Sequence, residues 1–297
     1  MRENVKRRAP VGVCEQERVS SFFQDGSAVR CFFLWGSRPA PFNAAQNRFT
    51  SSQRRGVCPT EACERLLPLF RRLLQDADSC AQLSASIRGL EVGTVTIGTA
   101  YSAFYTPLAR LIAAFHARYP GISVRLHGGY STELLKGLYD RELDFCLISR
   151  REGEHEWLPV CRDQLMAWLP AAHPLAALEA VPVSAFAREP YIETYPDKDI
   201  DNSRAFARCG VRPNLQFATM DSLATYSMVE AGLGLSMNNA INGRAFSGSV
   251  RMLPLDPPQT VELGVAVGRE LSPAAEVFRK ELQAAIPALA KVQEQEK

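Results

Sequence analysis

The side chains with the most chemical potential in this 297-residue chain sit in two short loops, Thr99-Ala100-Tyr101-Ser102 and Gly128-Gly129-Tyr130-Ser131-Thr132. Each follows a run that reads as a strand and precedes one that reads as a helix. Hydroxyls and flexible backbone at such a junction suit hydrogen bonding to a small anion. The first amides of a helix have no intrahelical partner, and the positive end of its dipole lies there. Further on, Thr194-Tyr195, Thr219-Met220-Asp221 and Asn238 take similar places just past strand-like runs. A purely local reading competes with this one: Ser102, Ser131 and Asp221 are also good helix N-caps, each worth ~1 kcal/mol to its helix. Capping does not exclude ligand contact.

Covalent and acid–base chemistry find little support. The four histidines are His116, His127, His155 and His173. His116 falls on a helix flank, and His173 stands in an Ala-His-Pro turn, where a structural role fits. There is no Gly-x-Ser-x-Gly elbow, phosphate loop or Gly-x-Gly-x-x-Gly fingerprint. Gly232-Leu233-Gly234 follows a helix rather than a strand, which is the wrong context for a nucleotide turn. The eight cysteines lie at 14, 31, 58, 63, 80, 146, 161 and 209, with no Cys-x-x-Cys or Cys/His spacing of a zinc site. They read as reduced, partly buried thiols. The expectation is a protein that is not an enzyme and holds no cofactor or metal.

The elements that position these loops begin near Leu90. Val92–Gly98 reads as a strand. Leu108, Leu111, Ile112, Phe115 and Tyr119 mark one helix face, stopped by Pro120-Gly121. Ile122, Val124 and Leu126 alternate with polar residues as a second strand. Leu134, Leu135 and Leu138 give a helix, and Asp144–Ser149 a buried strand. This βαβαβ order predicts a parallel sheet. Strands follow at Arg162–Leu169, Tyr191–Thr194, Leu215–Ala218, Leu233–Met237, Val250–Leu255 and Val261–Gly268. Helices are predicted near Val183–Ala187, Ser203–Cys209 and Ser222–Ala231, the last closed by Gly232 in a left-handed cap. Ser272-Pro273 opens a final helix with a capping residue and a first-turn proline; its apolar face includes Val277, Phe278, Leu282, Ile286 and Leu289.

Upstream, Thr60–Arg88 has a helical period. Leu66, Phe70, Leu73, Ala77, Cys80, Ser84 and Ile87 form a heptad seam, apolar except at Ser84. Such a face buries itself either within the chain or against a second copy. Residues 1–53 lack the helical period of a three-helix DNA-binding domain, and Gly36-Ser37-Arg38-Pro39-Ala40-Pro41 breaks any helix in their middle. Residues 1–56 carry ten basic and four acidic side chains, a net of +6, leaving −4 on the remainder. A basic arm attracts nucleic acid, but a solvated tail has the same composition. Hydrophobic content of 46% and charge of 22% are those of a globular protein. No apolar run nears the ~18 residues a bilayer crossing needs, and no secretory h-region follows the N-terminus. The expected location is the cytoplasm, with no membrane partner.

The stretch Arg54-Arg55-Gly56-Val57-Cys58-Pro59-Thr60-Glu61-Ala62-Cys63-Glu64, followed by a long helix and then Gly89-Leu90-Glu91-Val92-Gly93-Thr94-Val95, resembles the LysR-type bacterial transcriptional regulators. Tyr119-Pro120-Gly121-Ile122, Leu169-Pro170-Ala171-Ala172-His173-Pro174, and Val229-Glu230-Ala231-Gly232-Leu233-Gly234-Leu235 resemble the family's effector domain in order and spacing. The resemblance covers residues 54–290. Cys63 stands where the family has glycine. The resemblance implies an α/β fold: a two-lobed, periplasmic-binding-protein-like effector domain preceded by a long linker helix, with an irregular or disordered N-terminal segment. In that frame residues 1–53 are an irregular stretch, a diverged winged helix-turn-helix or its frame-shifted remnant. The abrupt start of the match at Arg54 favours the remnant. Residues 54–89 are the wing end and linker helix, dimerising through Leu66, Phe70, Leu73 and Ala77. Residues 90–297 are the effector domain, with lobe I at 90–161 and 265–297, lobe II at 162–264, and hinges near Val160–Arg162 and Gly264–Gly268.

The implied function is transcriptional control by a small metabolite bridging the lobes. Its site would combine Thr99, Ser102, Ser131 and Thr132 of lobe I with Thr194, Tyr195, Thr219, Asp221 and Asn238 of lobe II. The implied partners are a small effector, with a carboxylate suggested by the hydroxyl-rich loops, promoter DNA where the helix-turn-helix is present, and a second or further copies in a homodimer or homotetramer. Two alternatives share the fold: a stand-alone small-molecule receptor, and a lyase or dehydratase. The lyase would need an acid–base group at the cleft.

Overall fold

The computed structural model describes residues 50–53, 56–88, 91–244 and 246–293. They fall into two compact units that divide within one long helix, after Leu73. In the first unit, β1 (Thr50–Gln53) pairs antiparallel with β2 (Gly56–Pro59), and α1 (Glu61–Ile87) begins directly afterwards. Thr50–Gln53 are the last four residues of the segment that the sequence reading bounds at 53. The remainder of 1–53, including the missing three-helix pattern, lies outside the described residues. Thr60 caps α1, its Oγ1 accepting from Cys63 N at 3.3 Å, and Glu61 and Glu64 place negative charge in the first turn, where the dipole favours it.

The heptad face of α1 is only partly covered. Leu66 and Phe70 are half-buried, Leu73 is 47% exposed, Ala77 is exposed and Ile87 is 80% exposed. The opposite face of the helix's second half, itself part of the second unit, packs within that unit through buried Gln82 and Ala85. Gln82 accepts from Ala274 N at 3.2 Å and donates to Asp78 at 2.6 Å.

The second unit is built on a curled eight-stranded sheet, in the order β4 (Ile122–Gly128), β3 (Gly93–Thr99), β5 (Phe145–Ser149), β12 (Thr260–Val267), β6 (Glu156–Leu169), β11 (Arg251–Asp256) and β7 (Val181–Pro182), with β10 (Ser236–Asn239) also on β6. Strand β3 (Gly93–Thr99) lies between β4 (Ile122–Gly128) and β5 (Phe145–Ser149), parallel to both. Helices α2 (Tyr105–Arg118) and α3 (Ser131–Tyr139) make the crossovers. The predicted parallel βαβαβ core is thus present, but the whole sheet is mixed. Strand β12 (Thr260–Val267) is antiparallel to both β5 and the long β6 (Glu156–Leu169). It carries the chain back from the second lobe and so must oppose the outgoing β6. Strand β6 starts six residues before the predicted Arg162, because Pro159 disguises its first half.

Those two strands join two cores. One gathers Phe104, Phe115, Phe145, Val265, Phe278 and Leu282, the last two from α7 (Pro273–Ala290). The other gathers Leu165, Leu169, Phe186, Tyr191, Phe206 and Leu255. The second lobe is completed by β7 (Val181–Pro182), β8 (Pro190–Thr194), α4 (Asp201–Cys209), β9 (Asn214–Thr219), α5 (Ser222–Glu230), β10 (Ser236–Asn239), α6 (Ala240–Gly243) and β11 (Arg251–Asp256). Strands β8 and β9 form a separate parallel pair. The strand predicted at Leu233–Met237 begins only at Ser236, after Leu235 bridges to Tyr191. Gly232 takes the left-handed conformation expected of it, at φ 82°.

The β6–β12 register slips between Leu263 and Gly264, opposite Cys161 and Pro159, leaving Val160 as the extra residue of a bulge. Gly264 has no room there for a side chain: a Cβ would stand 2.5 Å from the Trp157 ring and 2.6 Å from the Leu158 carbonyl oxygen. The irregularity falls among residues packed on the first core: Leu158, Val160 and Cys161 on β6, and Val261 and Leu263 on β12.

Asp144, just ahead of β5, accepts from Thr96 N at 2.7 Å. Burial pushes its carboxyl from 3.8 up to about 6, although the Thr96 bond opposes the rise. Well below pH 3.8 the group is protonated in both folded and unfolded chains. As pH rises towards 6 the unfolded chain ionises first, so folding stability falls across that window. Asp144→Asn is expected to flatten the fall and to gain roughly 1–2 kcal/mol on wild type between pH 4 and pH 7. Urea unfolding at both pH values measures it; an unchanged pH slope would contradict the assignment.

Candidate functional site

The carboxyl ends of β3 and β5 and the start of α3 face β8, the start of α4 and β10 across a cleft. Its volume is about 460 Å³ including the open mouth. Four residues picked out from the sequence line it: Ser131, Thr194, Tyr195 and Asn238. Ser131 is the first residue of α3 and does not cap it. Its buried Oγ instead accepts from Ser149 N at 3.2 Å and lies 3.0 Å from Ser149 Oγ. Thr194 Oγ1 is 2.6 Å from Thr225 Oγ1, and Asn238 Nδ2 donates to Ser236 Oγ at 2.9 Å. Tyr195 holds φ at +61°, a left-handed conformation costly for a bulky residue, and its ring centre is 5.7 Å from that of Tyr130 across the cleft.

The other five predicted positions do not line the cleft. Thr99 is buried and turned to its own loop, where its Oγ1 accepts from Tyr101 N at 3.3 Å. Ser102 reaches Asn242 Oδ1 at 3.5 Å and caps no helix. Thr132 donates to the Asp199 carbonyl oxygen at 2.8 Å, tying the lobes together at the rim. Thr219 Oγ1 accepts from Asp221 N at 3.2 Å. Asp221 is a helix cap, accepting from Ala224 N at 2.8 Å; for this residue the local reading of the sequence holds. His173 also acts locally, accepting from Leu175 N at 3.2 Å.

At the back of the cleft lies a group that the sequence reading missed. Arg151 and Asp201 form an ion pair at 3.0 Å, with side chains only 5% and 8% exposed. Asp201 Oδ1 also accepts from Ser149 Oγ at 2.6 Å, and Oδ2 from Tyr101 Oη at 2.8 Å. Arg151 further donates to Ser149 Oγ at 2.7 Å and to Thr132 Oγ1 at 3.3 Å. Burial, with the Asp201 carboxylate second, holds the Tyr101 phenol well above its usual range, so it remains a donor. Beside this group at the rim, Arg204 bonds Asp199 twice at 2.6 Å and pushes its carboxyl down to about 2. The rest of the cleft wall is neutral: amides of Asn202, Asn238, Asn239 and Asn242, hydroxyls, and the two tyrosine rings. The one available sequence signal was position. Arg151 comes just past the buried strand β5, and Asp201 opens α4, which starts two residues before the predicted Ser203.

This arrangement brings hydrogen-bonding groups from two lobes to one small space. Among the described residues, no cluster of histidine, cysteine and acidic side chains is placed to hold a metal, and no helix is long and apolar enough to cross a membrane.

Comparison with known proteins agrees with the fold. Residues 88–287 match the family model described as the LysR substrate binding domain. An HTH-type transcriptional regulator of Bacillus subtilis strain 168, YvbU, is 29% identical over 235 residues, covering 76% of this chain and 79% of that one. The malonate utilization transcriptional regulator of Klebsiella pneumoniae is 24% identical over 215 residues, 69% of this chain and 68% of that one. Among solved structures, the CcmR regulatory domain of Synechocystis PCC6803 in complex with 2-PG superposes with a TM-score of 0.57 at 20% identity. It covers 65% of this chain and 97% of that one. The effector binding domain of QuiR in complex with shikimate gives 0.56 at 20% identity, covering 69% and 99%.

Proposed function

The chain belongs to the LysR family of transcriptional regulators, its substrate-binding domain spanning residues 88–287, and from that premise we propose that it senses a small metabolite in the cleft between its lobes and controls transcription accordingly. The observation that carries this reading is the cleft itself: polar groups from both cores converge on one space, and buried donors at its deep end hold the Asp201 carboxylate. Ser131 supplies contact from the first lobe, and Thr194, Tyr195 and Asn238 from the second. Two related domains have been solved with shikimate and with benzoate bound. They support a small carboxylate as the effector class here. Thr99, Ser102, Thr132, Thr219 and Asp221 position these loops instead of touching the ligand. The cleft's neutral wall offers no histidine or lysine for proton transfer, which favours binding over catalysis and over the lyase alternative.

In this reading the protein works in the cytoplasm, promoter DNA is a second partner where the helix-turn-helix is present, and closure of the lobes on the effector changes how copies assemble. A thermal-shift screen of small carboxylates on the full chain tests the sensing role. One or more should raise the melting temperature dose-dependently, by roughly 5–10 °C at a hundredfold excess over Kd. A screen across metabolite classes with no such response would count against it.

Assembly is assigned to α1. Leu73, Ala77 and Ile87 are left exposed while Gln82 and Ala85 are buried, which supports a heptad seam available to a second copy. A leucine buried there contributes roughly 1.5–3 kcal/mol. Leu73→Asp is expected to shift sedimentation towards a smaller species. Unchanged sedimentation would return the seam to packing within one chain.

A further inference from the structure

The three groups bonded to the Asp201 carboxylate have the make-up of a carboxylate site, and their occupant is part of the chain. Oδ1 accepts from Ser149 Oγ and Arg151 Nη2, and Oδ2 from Tyr101 Oη, at 2.6, 3.0 and 2.8 Å. All three donors stand on the lobe of β3 and β5. Asp201 reaches them from the opposite lobe, in the first turn of α4, whose Ala205 and Phe206 belong to the second core. Tyr101, Ser149 and Arg151 are all buried, so water cannot replace a lost acceptor cheaply. The cage requires an anion, but nothing in its geometry requires that the anion be tethered.

We propose that Asp201 is a built-in carboxylate latch, bridging the lobes by filling a subsite that a small free carboxylate takes in its place. The inference rests on the reading of the cleft as a ligand site and adds the exchange. The cage opens onto the wall of amides, hydroxyls and tyrosine rings, so an entering acid exchanges one carboxylate for another and gains hydrogen bonds to neutral groups beyond it. That selects a small monocarboxylate carrying hydroxyl or other uncharged polar substituents. A tethered side chain competes at an effective concentration of order millimolar or more. A bare monocarboxylate such as formate therefore gains little against it, whereas an acid that also bonds the wall displaces it.

The test is chemical rescue in the full chain, with formate and acetate as probes. Asp201→Ala removes the tethered carboxylate and should lower the melting temperature by roughly 6–20 °C. Formate or acetate tenfold above its Kd should then restore about 3–6 °C, with no comparable rise in wild type at the same salt concentration. Asp201→Ser, which keeps a polar residue at the start of α4, should behave alike. Rescue of either variant, including one that folds only when formate is present, supports the latch. An equal response in variant and wild type overturns it, as does failure of both variants to fold with or without formate. The probes do not depend on the effector. Rescue without any metabolite response would sink the sensing role and keep the latch, and a metabolite response without rescue would do the reverse.

Discussion

Arg151→Leu is expected to cost about 3–5 kcal/mol of folding stability, because it strands the Asp201 carboxylate in a buried site without its cation. For a domain of this size that lowers the melting temperature by roughly 6–20 °C. The sharper readout is the double variant. Arg151→Leu with Asp201→Asn removes both charges and keeps a side chain able to hydrogen-bond Tyr101 and Ser149. It should be clearly more stable than Arg151→Leu alone, since a missing pair costs less than half a pair. Thermal unfolding of wild type, both single variants and the double variant gives the coupling directly. Additive losses would show that the two residues do not act as a buried pair.

The second large effect belongs to the return of the chain. Phe278 on α7 is fully buried, edge-on to Phe115 at 4.9 Å between ring centres and 5.6 Å from Phe145. It joins a helix near the C-terminus to a helix and a strand from the start of the same lobe. Phe278→Ala removes that aromatic contact and leaves a cavity between α2, α7 and β5. The expected loss is about 3–5 kcal/mol. Urea unfolding measures it as a lowered midpoint at an unchanged slope. A loss under 1 kcal/mol would mean that α7 is not part of the first lobe's core.

Much of this architecture could be read in the sequence, for reasons that also explain the gaps. Local patterns carried it where the determining forces are local. The apolar stripe Leu108–Phe115, the buried run Phe145–Ser149, the Ser272-Pro273 cap and the left-handed Gly232 all report on neighbours a few residues away. Strand β6 was half hidden because Pro159 is a breaker in most contexts; here the bulge opposite Gly264 accommodates it. The antiparallel placement of β12 depends on a pairing about a hundred residues apart, which no periodicity encodes.

The site divides along the same line. Ser131, Thr194, Tyr195 and Asn238 reach the cleft because strand-to-helix junctions place polar groups at a sheet's carboxyl edge. Thr219 and Asp221 share that local signature but spend it on their own turn and cap. Arg151 and Asp201 escaped because their meaning lies in each other. Fifty residues separate an arginine next to another arginine from an aspartate in an acidic run, and only the fold shows them meeting.

The account stands on one ligand touching both lobes. Calorimetric titration of the full chain with the strongest acid from the thermal-shift screen, repeated on Ser131→Ala and Thr194→Val, tests it most directly. Ser131 belongs to the first lobe and Thr194 to the second. A lost hydroxyl contact costs about 0.5–1.5 kcal/mol, more when the ligand is charged. Each substitution should therefore raise Kd several-fold to tenfold while the variant stays folded. Wild-type affinity in both variants would place the ligand outside the cleft and contradict the account.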